Sequence, residues 1–96
     1  MQLYAIRRRN AWKSAEELEE VGARSKQIGD EEMSDDIRWI RTYVLKDEDG
    51  TLGSICIYQA TSADALRDHA SRVGMPADEI TADTVIVRPD PEPAAP

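Results

Sequence analysis

The spacing of apolar residues changes along the chain, and each change predicts an element. Residues 2–8, QLYAIRR, alternate as a strand does, with Leu3 and Ala5 on one face and Tyr4 and Ile6 on the other. From Ala15 the spacing turns helical: Ala15, Leu18, Val21, Ser25 and Ile28 form one narrow stripe. Ser14 and Glu17 make a capping box, each side chain satisfying the other's free backbone N–H, so a helix is expected from about Ser14 to about Glu32. Residues 37–46, IRWIRTYVLK, are rich in β-branched and aromatic residues and run into the turn residues DEDGT. With LGSICIYQA, roughly 52–60, they predict a hairpin. A second helix begins near Ser62 and presents Ala65, Leu66, His69, Ala70 and Val73 inward. Gly74 stands where a left-handed cap belongs and Pro76 follows. A last strand is expected at about 82–88, ADTVIVR. The acidic, proline-rich PDPEPAAP, residues 89–96, has nothing to bury and reads as a disordered tail.

The order β-α-β-β-α-β over residues 1–88 predicts one α+β domain. It is a ferredoxin-like sandwich with a four-stranded antiparallel sheet and both helices on one face. The opposite face is then wet or covered by a second copy. Strict alternation puts Ile40, Val44, Ile55 and Ile57 in a purely aliphatic set, which suits the side under the helices. The mixed set, with Trp39, Arg41, Tyr43, Cys56 and Tyr58, suits a face that meets a ligand or another chain. A homodimer through that open face is expected, with room for a cavity between subunits.

Charge narrows the partners. Twelve Lys and Arg against 19 Asp and Glu give a net charge of −7, a field that repels phosphate backbones and argues against nucleic acid. The run Arg7-Arg8-Arg9 is the local exception. It reads either as a solvated strand end pairing with the acidic helix that follows or as an anion site. No stretch is long and apolar enough to span a bilayer, no signal peptide is apparent, and the single cysteine can make no internal disulfide. A reduced, cytoplasmic protein without membrane contact is expected.

Residues 37–80 also carry spaced identities. Trp39 is followed by Thr42-Tyr43-Val44, then by Cys56 and Tyr58, by Leu66-Arg67 with His69-Ala70, and by Gly74 with Pro76-Ala77-Asp78. In these the chain resembles a bacterial family known as domain of unknown function 4242. The resemblance implies a small ferredoxin-like domain, often dimeric, with nickel-binding proteins among its members.

The chemistry-bearing residues are few. Cys56 and His69 are the only cysteine and histidine. A site for nickel or another divalent transition metal needs three or four convergent donors, so one chain supplies two at most and a dimer could double them. Each also has a plain structural reading, Cys56 as a buried thiol and His69 as a helix residue lodged against the sheet. His69, Cys56, Tyr43, Tyr58 and Arg41 are the candidate contacts for a small ligand between the second helix and the sheet. Trp39 reads as core, dimer interface or ligand platform. No phosphate loop, paired-histidine motif, serine elbow or CxxC is present. A binding protein is the leading expectation. A small cofactor-free oxygenase or isomerase using His69 as acid and base is the alternative.

Overall fold

A computed structural model describes residues 1–87; the expected tail at 89–96 lies outside the described residues. The elements are β1 (Gln2–Trp12), α1 (Ala15–Glu32), β2 (Ile37–Lys46), β3 (Leu52–Ala60), α2 (Ala63–Val73) and β4 (Glu79–Thr81). The strands form one antiparallel sheet in the order β2-β3-β1-β4, the ferredoxin-like arrangement. Both helices cover the same face. Ile28 of α1 and Leu66 and Val73 of α2 pack in one core with Tyr4, Ile6, Cys56 and Tyr58.

The helix boundaries follow the caps. Ser14 Oγ accepts from the Glu17 N–H at 3.2 Å, and Ser62 Oγ accepts from the Ala65 N–H at 3.1 Å. Gly74 closes α2 at φ 87°, a left-handed conformation open to glycine, and its N–H reaches the Ala70 carbonyl at 2.8 Å.

Three features depart from the sequence-based expectation. β1 continues past Arg8 through an irregularity at Asn10 (φ 50°), which lets Trp12 pair with Leu52 and become buried. The last strand is Glu79–Thr81, and residues 82–87 of the expected 82–88 are not strand; residue 88 lies outside the described residues. Only four residues after Gly74 bring the chain to the free edge of β1, and Asp83 (φ 54°) then turns it out of register. Val85 and Val87 are left exposed.

The third departure concerns the faces. β2 carries a bulge at Ile40, between the pairs Trp39–Tyr58 and Arg41–Ile57. The extra residue shifts the phase, so Thr42 and Val44 join Ile37 and Trp39 on the helix-covered side while Arg41, Tyr43 and Leu45 face away. On β3 the alternation is as expected but the assignment is reversed: Ser54, Cys56 and Tyr58 are buried, and Ile55 and Ile57 are only half-buried on the open face. The purely aliphatic set is therefore not the core. The core instead surrounds a buried cation, which needs polar neighbours.

Candidate functional site

That cation is Arg8. It continues the inward phase of Tyr4 and Ile6, so strand geometry carries its side chain beneath the helices, where it is 1 % exposed. Its Nε donates to the Pro76 carbonyl at 2.6 Å and its Nη1 to Cys56 Sγ at 3.2 Å. Its Nη2 is buried with no hydrogen-bond partner. The flanking arginines are spoken for elsewhere. Arg7 pairs with Asp47 of the β2–β3 turn at 2.7 Å, and Arg9 pairs with Glu79 of β4 at 2.8 Å. The arginine run is therefore not a solvated strand end pairing with α1. Among the described residues, no carboxylate pairs with Arg8.

Cross-strand register assembles the rest of the floor. Cys56 lies opposite Ile6 on one side and Thr42 on the other. Thr42 Oγ1 donates to Cys56 Sγ at 3.2 Å, and Ser54 Oγ lies 3.6 Å from the same sulfur. The Trp39 indole N–H donates to Thr42 Oγ1 at 2.8 Å, which holds the half-exposed indole over this floor.

Above the floor is a cavity of about 270 Å³. It exists because α1 meets the sheet with few bulky residues: Ile28 is its one buried side chain, and Leu18, Val21, Gly22 and Ser25 face the gap. A Cβ built on Gly22 would meet nothing within 4 Å. Trp12, Trp39 and Met75 supply further apolar wall, and Arg8 is the one charged residue lining it among the described residues.

His69 sits apart from that floor. It is 1 % exposed, and its ring lies 5.9 Å from that of Tyr58, tilted by 58°. Its Nε2 is 3.0 Å from the Ser25 carbonyl. A carbonyl only accepts, so Nε2 carries the proton and the imidazole ties α2 to α1. Burial pushes the ring's pKa below its ordinary 6.5, and the Arg8 cation acts in the same direction, against the pull of the Ser25 carbonyl. Burial likewise raises Tyr58. A second hollow of about 350 Å³ touches His69, Tyr58, Ser25 and Trp39 from the other end of α1.

The structure thus brings Cys56 and Tyr58 to one cavity, with Tyr58 bridging toward His69. It separates Arg41 and Tyr43, which lie on the open face, where Arg41 Nη1 donates to the Tyr43 hydroxyl at 3.2 Å. The cavity is under the first helix, not between the second helix and the sheet. Sequence reasoning passed over Trp12, Thr42 and Ser54 as site residues and offered Arg8 only within an arginine run read as a solvated strand end or an anion site. The signal for Arg8 was there: it is in phase with Tyr4 and Ile6.

These residues do not fit nickel. No group of three or more His, Cys, Asp or Glu side chains that could hold a metal ion occurs among the described residues. The Nε2 of His69 is engaged, and the nearest cation to Cys56 is already a guanidinium. Both candidate ligands are too deeply buried for a second copy to complete a shell around them. Nor is any described helix long and apolar enough to cross a membrane.

Comparison with known proteins places this geometry in context. A family model described as nickel responsive protein SCO4226-like matches residues 4–82, extending the nickel-related resemblance of residues 37–80 to most of the chain. The crystal structure of SCO4226 from Streptomyces coelicolor A3(2) is similar at a TM-score of 0.67 and 15 % identity, over 88 % of this chain and 99 % of that one. At that identity the likeness shows the shared fold. No curated protein matches the chain.

Proposed function

This chain belongs to the nickel responsive SCO4226-like protein family, and from that premise we propose that it is a small cytoplasmic binding protein whose ligand site is the cavity beneath α1. The observation that carries this reading is the cavity itself. Apolar walls from Trp12, Leu18, Val21, Trp39 and Met75 converge on polar groups of Arg8, Thr42, Ser54 and Cys56, the usual composition of a site for a small organic molecule. A binding role fits the groups present better than catalysis does. The buried imidazole of His69 is committed to the Ser25 carbonyl, and Cys56 has a guanidinium beside it, not a general base.

The chain acts as a homodimer in this reading, joined through the open face of the sheet. Leu3, Ala5, Leu45, Ile55 and Ile57 are half-buried there beside the exposed Tyr43, a surface better covered than wet. Light scattering at twice the chain mass is the expected result.

The binding site is tested by titrating neutral phenylacetamide into the labelled protein and following amide and indole resonances. Shifts should centre on Trp12, Val21, Gly22, Thr42 and Ser54, and Gly22→Leu, which fills the cavity from the helix side, should abolish them. Shifts that centre elsewhere, or that survive Gly22→Leu, would overturn the assignment.

A further inference from the structure

We propose that the ligand of this cavity is a small organic anion of about ten non-hydrogen atoms in all, a carboxylate on an apolar body, and that Arg8 is its receptor. The inference rests on the cavity being the binding site and adds the chemistry of what enters it.

Its starting point is an imbalance of charge. The chain carries seven more acidic than basic residues, yet its most deeply buried cation has no acidic partner among the described residues. Burying an unpaired charge is costly, and chains that keep one usually give it a counter-charge or a job. Arg8 is held in place by the Pro76 carbonyl and Cys56 Sγ, neither of which carries a formal charge as a carbonyl or a thiol. Nη2 is the part of the fork left over. The unpaired Nη2 of a planar guanidinium is well matched to a carboxylate oxygen, through a charge-assisted hydrogen bond. Ser54 adds a hydroxyl on the same floor, while Thr42 gives its proton to Cys56 Sγ. Nη2 is screened from solvent, so the assignment requires a small turn of the guanidinium toward the cavity.

The walls define the other end of the molecule. Two indoles, Leu18, Val21 and Met75 surround the space, which suits a ring or branched aliphatic group. A volume of about 270 Å³ holds roughly nine waters, the scale of phenylacetate. The bulk field of a −7 protein opposes this ligand at long range. Selection therefore comes from the local site, and binding should strengthen slightly as salt screens the repulsion.

The test compares phenylacetate with its neutral isostere phenylacetamide on the wild-type chain, followed by resonance shifts, with inorganic phosphate as a third probe. The acid should bind about tenfold tighter than the amide or better, with shifts at the same residues and at the Arg8 side chain. Arg8→Met should erase the preference for acid over amide, whereas Arg8→Lys should keep part of it. Equal affinity of acid and amide in the wild-type cavity overturns the anion assignment while leaving the binding site standing. Failure of both probes to shift cavity residues overturns both. Phosphate binding as tightly as phenylacetate also overturns the proposal, because the apolar walls would then have no role. The wild-type comparison decides the matter even if Arg8→Met fails to fold.

Discussion

The two helices lie over the same sheet and meet it in different ways. α2 seats Leu66, His69, Ala70 and Val73 fully in the core within 11 residues. α1, with 18 residues, buries Ile28 alone and holds Leu18, Val21, Gly22 and Ser25 over a gap. One helix secures the fold, and the other roofs a cavity. A packed element and a standing-off element can thus share a sheet because the first supplies enough buried apolar surface for both.

The largest expected effect that tests this contrast is on matched leucines. Leu66→Ala removes a fully buried side chain and should cost about 3 kcal/mol by chemical denaturation, whereas Leu18→Ala, on the cavity wall, should cost less than about 1. Similar losses at both positions would erase the distinction between the helices.

A finer probe uses one substitution twice. At Gly74, φ is 87° and, among the described residues, the one atom near a built Cβ is Arg24 Nη2 at 3.9 Å, so Gly74→Ala is expected to cost about 1 kcal/mol through backbone strain. At Gly22 nothing lies within 4 Å, so Gly22→Ala in mid-helix should instead stabilise by about 0.5–1 kcal/mol. Opposite signs in thermal melts are the expected outcome, and a destabilised Gly22→Ala would mean that α1 is packed after all.

The smallest effect concerns the tie between the helices. The pKa of His69 is lowered in the folded chain, first by burial, with Arg8 and Arg72 lowering it further and the Ser25 carbonyl and Asp68 opposing. The unfolded chain therefore binds more protons as pH falls below its ordinary value. This contribution is fully present above about pH 6.5 and is lost on acidification, by at most about 1.4 kcal/mol per pH unit until the folded-state value is passed. His69→Gln should flatten that slope in denaturation curves taken between pH 7 and pH 5.

Much of the fold was legible in the chain because its signals are local. Ser14, Ser62 and Gly74 end helices through bonds within a few residues, and the β2–β3 turn closes on Asp47 and Gly50. The site was less legible because it depends on phase and on distant partners. Alternation read strictly along β2 fails at Ile40, so it set Trp39 apart from Thr42 and Val44 although all three share the helix-covered face. The burial of Arg8 follows from β1, but its company of Cys56, Pro76 and Thr42 comes from three other parts of the chain. The strand expected at 82–88 had the right composition. A strand also needs an edge to pair with, and the pairing of β4 with β1 is confined to Ala5–Arg7.

The bulge at Ile40 has a meaning for how such a chain can vary. Trp39 and Arg41 pair with adjacent residues of β3, so the extra position is absorbed where it occurs and every later residue keeps its partner. A gene lacking that one codon would encode a strand with unbroken alternation. Trp39 and Thr42 would still face the helices, and Arg41 and Tyr43 would still face away. Relatives whose second strand is one residue shorter can therefore retain both surfaces of the sheet unchanged.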